Sequence, residues 1–405
     1  MALLVQKFGG TSVADPDRIK AVADQVARCR RRGDSVALVI SAMGKETDEL
    51  LYMASQVADS KPGREMDMLI TAGERKATAL VCMALIDLGV PAESFTGSQA
   101  GFVTTGAHQN AKIIDINPYR ISDALEQGIV PVLAGSQGVS EEKNVTFLGR
   151  GGSDTTAVAL ANALQADSCE LYTDVSGVFT ADPRIVLNAQ KMEAISFNEL
   201  LEMTASGCPK PALRSVEFAH ANNVPLHIRS AFTWETGTLV VEEESTMEQP
   251  NIRAVTHDID TAKFTVTGIK DIPGQSAKLF RSLVDSGVNV DMIVQNSSTD
   301  GEAHVSFTTP VNEINKVKAC LSGGLLDELE ASGLVVNDVI GKVSIVGAGM
   351  KSDPGTAAKV FETLAEHGIN IHMISTSPIR ISCLVDSEKV EQAVVKLHTA
   401  FGLDK

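Results

Sequence analysis

Short, almost wholly apolar runs alternate with amphipathic stretches along the first 245 residues. ALLVQKF is followed near 16–32 by apolar positions at helical spacing, and SVALVISAM by a second such stretch near 46–58. GIVPVLAG leads through a loop into FLGRGGSD, and SCELYTDV, PLHIRS and TLVV complete the series. Buried strands separated by helices predict a mostly parallel sheet covered by helices on both faces. The glycine-rich turns fall just past strand C-termini, where open α/β sheets bind ligands.

Beyond EEESTMEQPN the pattern changes and an internal repeat appears. FTVTGIKDIPGQSAKLFRSLVDSGVNVDMI aligns without gaps on the segment ending GMKSDPGTAAKVFETLAEHGINIHMI, at an offset of 81 residues. Pro273–Gly274 falls on Pro354–Gly355, Gly287 on Gly368 and Asn289 on Asn370. Each copy reads as strand, Pro-Gly turn, amphipathic helix, glycine C-cap and strand. The expected organisation is an α/β domain over 1–245, a linker over 246–263, and two α+β units over 264–335 and 336–405. A duplicated packing module explains the repeat. So does a small-ligand sensor, because a Pro-Gly turn leaves helix-start N–H groups free for a carboxylate.

Charge narrows the choice of partners. Fifty-one acids against 35 Lys and Arg give a net charge of −16, which argues against nucleic acid. The one dense basic run, Arg28–Arg32, reads as a solvated helix end. No apolar stretch is long enough to span a bilayer, and MALLVQKFGG lacks the features of a signal peptide. Six scattered cysteines, with no CxxC pair, read as small buried hydrophobes in a reducing cytosol.

Candidate chemistry lies in five motifs of the first half. KFGGTSV places Lys7 at a strand end before Gly9 and Gly10; it is either a phosphate cradle or a plain turn. In LGRGGSDTTA, Arg150 precedes a glycine pair, and Ser153 or Asp154 is expected to cap a helix whose start faces an anion. Neither Walker A nor the dinucleotide fingerprint fits. YTDVSGVFTADPR follows a strand, and Asp174 there would be costly to bury without a cation. TAGER and SAMG add an acid and a small-residue turn.

The duplicated half resembles a pair of ACT domains, the amino-acid-sensing modules of metabolic enzymes. The resemblance implies an effector site with Asp271, Gly274, Asn289, Gln295 and Asn296. Together with the motifs of the first half, in their order and spacing, essentially all 405 residues resemble the aspartokinases, within the amino-acid kinase fold. That family phosphorylates the β-carboxylate of aspartate with MgATP, on the route to lysine, threonine and methionine. A carboxylate attacking a γ-phosphate brings anion to anion, so the chemistry needs cations and N–H donors rather than a strong base. By this resemblance Lys7 serves the transferring phosphoryl group, with Gly9 and Gly10 shaping the cradle. Ser41, Thr47, Glu74, Arg150, Gly152, Ser153 and Asp154 would line the aspartate site. Glu74 would hold the ammonium and Arg150 a carboxylate. Thr173, Asp174, Phe179, Arg184 and Lys210 would belong to the nucleotide side, with Asp174 orienting the lysines. Magnesium would ride on the phosphates, with no metal ligand from a protein side chain. The resemblance also implies a cytoplasmic homo-oligomer or α/β assembly through the ACT units, and an effector such as lysine or threonine.

Several positions depart from the family pattern. Aspartokinases usually carry G-A-K-V-L where this chain has Gly207-Cys208-Pro209-Lys210-Pro211, so the lysine stands one residue late. On a regular helix that step turns a side chain by about 100°. Lys210 is therefore either a displaced catalytic lysine brought back by the two prolines or a solvated residue at a helix start. Ala77, Ser136 and Pro378 replace a usual serine, phenylalanine and acid, and read as three changes near one pocket. The departures keep two other functions in view: a paralogue activating a different amino acid or carboxylate, and a catalytically silent sensing subunit. MEQPNIRAVTHD resembles an internal start for a separate regulatory subunit, at Met247.

Overall fold

The computed structural model describes residues 2–60, 62–233, 235–242, 251–297, 301–348, 350 and 353–405. Met247 and the start of the 246–263 stretch lie outside them. The chain divides into two compact units, one of 2–178, 191–204 and 209–245, the other of 179–190, 205–208 and 246–405, within the described residues.

In the first unit eight described strands form one sheet, in the order Ala194–Ser196, Thr238–Val241, Leu226–Ser230, Ser168–Thr173, Leu3–Phe8, Ser35–Ile40, Val130–Ala134 and Ala92–Phe95. The six from Leu226–Ser230 to Ala92–Phe95 are parallel, and Thr238–Val241 runs against them. SVALVI is buried from Val36 to Ile40, as a strand with both faces covered requires. Alternate residues then serve different layers. Phe8, Leu38 and Ile40 join Ile19, Val22 and Val26 of the Pro16–Arg31 helix and Ala77, Val81 and Leu85 of the Gly63–Asp87 helix in one core. Lys7, on the opposite face, meets the Gly152–Leu164 helix through Asp154. The Pro16–Arg31 helix starts where Asp15 accepts from the Arg18 N–H ahead of Pro16, and ends among Arg28, Arg30 and Arg31, favourable to its dipole. A small four-stranded sheet, ordered Ile113–Ile116, Phe102–Thr104, Gln137–Ser140 and Val145–Phe147, completes the unit.

The second unit carries a six-stranded antiparallel sheet: Ile293–Ser297, Glu302–Thr309, Asn251–Lys270, Gly333–Ala348, Arg380–Asp386 and Met373–Ser377. The repeat is visible in its helices, Gln275–Asp285 and Pro354–Glu366, each followed by a left-handed glycine, Gly287 (φ 67°) and Gly368 (φ 64°). Two boundaries differ from expectation. Residues 251–263, expected as linker, are strand, and the 335/336 division falls inside Gly333–Ala348. Both long strands run through both copies: Val255 pairs with Ile345 at one end and Thr265 with Val335 at the other. Burial of Ala254 and Val255 fixes the first end in the core despite its polar neighbours.

Two segments from the first half of the chain are built into this second unit. Thr180 accepts from the Val255 N–H at 2.8 Å, and Ala181 and Val186 share a core with Val343 and Ile345. Ala205 accepts from Lys342 Nζ at 3.3 Å, Arg380 reaches Ser206 Oγ at 3.3 Å, and Gly207 lies against the His257 carbonyl. Four cysteines are buried as expected. Cys208 and Cys320 are half-buried, and none of the six is in a disulfide.

Candidate active site

The site is assembled at the C-terminal end of the Leu3–Phe8 strand. Ser41 donates its N–H to Phe8 O at 3.2 Å, and Gly44 donates to Gly10 O at 3.0 Å, so the GGT and SAMG turns close on each other. A Cβ on Gly10 would come 2.7 Å from Ala42 O, which explains that glycine by packing. Gly9 differs: a Cβ there would only touch Lys7 Nζ, at 3.4 Å, so the bare glycine keeps that side of the ammonium free of a side chain.

Lys7 is buried and pairs with Asp154 Oδ1 at 2.6 Å, while Asp154 Oδ2 accepts from the Ala212 N–H at 3.1 Å. Asp154 thus ties Lys7 to the turn ahead of the Leu213–Ala221 helix. Neither Ser153 nor Asp154 caps the Gly152–Leu164 helix, contrary to expectation. Gly151, left-handed at φ 73°, is its N-cap and carries the chain into the helix early, so both side chains lie in the first turn. Ser153 Oγ is instead hydrogen-bonded to Ser136 Oγ at 2.9 Å, and Gly152 has no room for a Cβ against Leu148 and Ser136.

Lys210 lies ahead of the helix, which begins only at Leu213. Its Nζ stands 2.6 Å from Asp174 Oδ1, at the end of the Ser168–Thr173 strand. Asp174 therefore takes Lys210, and Lys7 goes to Asp154. Thr173 is buried, its hydroxyl bonded to the Val175 backbone. Arg150 is exposed and lies 3.5 Å from Asp48, next to Thr47 in the first turn of the Glu46–Val57 helix.

Glu74 lies in the middle of the Gly63–Asp87 helix, wholly buried, and its Oε2 has no hydrogen-bond partner among the described residues. Burial, and to a lesser degree the charge of Glu46, push its carboxyl up to about 7, against the lesser lowering influence of its own backbone and Arg75. A buried acid with an orphaned oxygen is short of a cation.

Contacts and chain adjacency link Lys7, Gly9, Gly10, Ser41, Thr47, Arg150, Gly152, Ser153, Asp154, Thr173, Asp174 and Lys210 through neighbouring turns, and bring the Gly73–Glu74 step against Ala42 and Glu46. Phe179 and Arg184 belong to the other unit, where Arg184 grips Asp182. Ala77 is core, Ser136 faces Ser153, and Pro378 is an exposed turn residue of the other unit. Two acids escaped the sequence reading. Glu46 opens a helix, and Asp67, wholly buried, accepts from His108, the Gln109 N–H and the Phe147 N–H. Only its spacing on an amphipathic helix marked Asp67 as inward-facing.

Of the effector candidates, Asp271 and Asn296 are exposed, and the Asn289 N–H donates to Glu313 at 2.9 Å. Gln295 accepts from Ser276 at 2.7 Å. Gly274 (φ 103°) starts its helix with no side-chain cap and open space where a Cβ would stand. In the second copy Asp353 occupies the equivalent helix start, accepting from the Gly355 N–H and the Thr356 hydroxyl.

Comparison with known proteins decides the family. Residues 2–230 match the amino acid kinase family, and 265–323 and 343–401 each match the ACT domain. The aspartokinase of Mycobacterium tuberculosis is 52% identical over 408 residues, covering 100% of this chain and 97% of that one. The chain belongs to the aspartokinases. Among solved structures of this family, aspartokinase III of E. coli in complex with aspartate and ADP, described as the R-state, has a TM-score of 0.84 at 26% identity, over 98% of this chain and 99% of that one. The same aspartokinase with lysine and aspartate, the T-state, has a TM-score of 0.71 at 25% identity, over 99% of each chain. Among the described residues, no helix is long and apolar enough to cross a membrane.

Proposed function

We propose that this aspartokinase transfers the γ-phosphoryl group of ATP to the β-carboxylate of L-aspartate, giving 4-phospho-L-aspartate and ADP, under control of an amino acid bound at the ACT pair. The observation that carries this reading is the pair of lysines, each held by its own carboxylate, around a glycine turn: Lys7 with Asp154 and Lys210 with Asp174. Two ammonium groups there would neutralise charge on the transferring phosphoryl group. Lys7, with no side chain on its Gly9 side, fits a phosphate-bearing cofactor, and MgATP supplies the phosphoryl donor, with magnesium carried on its phosphates.

Gly9, Gly10, Thr173, Asp174 and Lys210 make the nucleotide side of this proposal. Ser41, Thr47, Gly152 and Ser153 line the aspartate side. Glu74 takes the substrate ammonium, and Arg150, exposed and lightly held, turns from Asp48 to a substrate carboxylate. No side chain removes a proton, because the attacking carboxylate is already ionised. Aspartate and ADP bound to E. coli aspartokinase III support the substrates, and lysine bound to the same protein supports a lysine-class effector at Asp271, Gly274, Asn289, Gln295 and Asn296. The assembly is a cytoplasmic oligomer joined through ACT sheets, which covers their edge strands.

Incubation with MgATP, L-aspartate and hydroxylamine tests the reading. Aspartyl hydroxamate, the trapped acyl phosphate, is the expected product. ATP binding without it overturns the aspartate reading, and hydroxamate from another acid in an amino-acid panel assigns the substrate instead.

A further inference from the structure

Resting on that reading, we propose that Glu46 is a second carboxylate of the ammonium subsite, and that with Glu74 it selects substrates bearing a free amino group. Glu46 follows directly on the SAMG turn, its N–H donating to Met43 O at 2.9 Å, and Glu74 adjoins Gly73, which packs against Ala42 of that turn. Glu46 is the first residue of the Glu46–Val57 helix, and Glu74 lies on the Gly63–Asp87 helix. The two helices meet there: a Cβ on Gly73 would come 3.4 Å from Glu46 Cδ and 3.0 Å from the Ala42 Cβ. That glycine lets the Glu46 carboxyl approach the helix one residue from Glu74.

The two carboxylates share an unusual state. Glu74 is 3% exposed. One oxygen of each, Oε2 of Glu46 and Oε2 of Glu74, is shut off from solvent and has no hydrogen-bond partner among the described residues. Lys76 occupies the other oxygen of Glu46 at 2.6 Å, and Arg75, beside Glu74, is turned to Gln137 and Thr71. The hydrogen bonds of Arg75 go to Gln137 and Thr71, so it acts on Glu74 only through its charge, and neither orphaned oxygen accepts from a side chain among the described residues. Two orphaned acceptors inside one contact region match the several N–H donors of a primary ammonium, and a neutral or hydroxylated analogue would leave them unsatisfied. Discrimination of this kind exceeds what packing alone provides.

The test compares wild type with Glu46→Gln, using L-aspartate and succinate, the same diacid without the amino group. KM for L-aspartate is expected to rise about tenfold in the variant, with kcat and KM for ATP changed less than twofold, and the preference over succinate to fall by a similar factor. Removing the neighbouring negative charge also moves the pH dependence of aspartate KM to lower pH. A merely structural role would move neither. Lys76→Met separates the alternatives, because it removes the partner and keeps the acid. If Glu46 serves only its bond to Lys76, both variants lose the same stability and neither changes aspartate selectivity; that result overturns the proposal. Calorimetric titration of L-aspartate into both proteins reads the same difference without turnover. Wild-type hydroxamate formation, scored separately, tests the aspartate-kinase reading itself.

Discussion

Lys210 Nζ stands 2.6 Å from Asp174 Oδ1, although the lysine is one residue beyond its usual place in aspartokinases. The expected 100° displacement holds only for a helix, and no helix exists at this point. Pro209 and Pro211 remove two backbone donors, the helix begins at Leu213, and the segment that carries Lys210 is an irregular turn. The long lysine stem does the rest. Lys210→Ala should lower kcat by two or more orders of magnitude. Stability should change by less than about 1 kcal/mol, since both partners are more than a third exposed and solvent screens the pair. Hydroxamate formation and a thermal melt on the same preparation read the two effects. A wild-type rate would remove Lys210 from the catalytic set.

The Lys7–Asp154 pair behaves differently because it is buried. Removing one partner strands the other charge, at a cost of about 3–5 kcal/mol. Lys7→Met and Asp154→Asn are each expected to lower the urea midpoint, and the double variant to lose less than the sum. Additive losses would mean that the two charges are stabilised independently. Asp154→Asn should also impair turnover, because its second oxygen holds the Ala212 N–H beside the Lys210 turn.

Hydrophobic periodicity made the layers legible: the VALVI strand and the amphipathic helix after Asp15 announce their own burial. The repeat, too, was legible, down to Gly287 and Gly368. Strand continuity was not, because residues 251–263 are mostly polar on one face and gain their order from pairing with a distant strand. The same holds at the site. Lys7 and Glu74 sit in recognisable motifs, whereas the Lys7–Asp154 pairing and the orphaned Glu46 oxygen depend on which helices meet. Local sequence does not carry that information.

Glu74 gives a pH dependence of stability. Its carboxyl titrates at about 7 in the folded chain against 4.5 as a reference, so the fold binds this proton more tightly than the unfolded chain. Its contribution is greatest below pH 4.5 and is lost as pH rises toward 7, on the order of 3 kcal/mol in all. Glu74→Gln removes the titration. The variant should gain stability relative to wild type between pH 5 and 8, measured by urea unfolding without substrate, while losing aspartate binding. A constant difference across that range would place the Glu74 pKa near its ordinary value.

Gly207 is φ 109°, and a Cβ there would stand 2.0 Å from the His257 carbonyl oxygen. Backbone cannot yield as a side-chain tip can, so Gly207→Ala combines left-handed strain with a direct clash. A loss of about 2–5 kcal/mol is expected. Because Gly207 lies three residues before Lys210, kcat should fall at temperatures where the variant is still folded. Unchanged stability would mean that the 205–208 segment is not held against the Asn251–Lys270 strand.

The two ACT copies differ at their helix starts, and the difference predicts different effector behaviour. Asp353 in the second copy satisfies the Gly355 N–H with its own carboxylate, whereas Ile272 stands at the repeat-equivalent position of the first, whose helix has no side-chain cap. An internal carboxylate competes with a ligand carboxylate for the same N–H groups and the same end of the helix dipole. Ile272→Asp should therefore weaken feedback inhibition by the cognate amino acid about tenfold, leaving uninhibited kcat and KM within twofold. Asp353→Ala is the counterpart: it opens the second helix start and should not weaken inhibition. Inhibition curves with lysine and threonine, separately and together, measure both variants. Weakened inhibition in Asp353→Ala with none in Ile272→Asp would reverse the assignment of the copies.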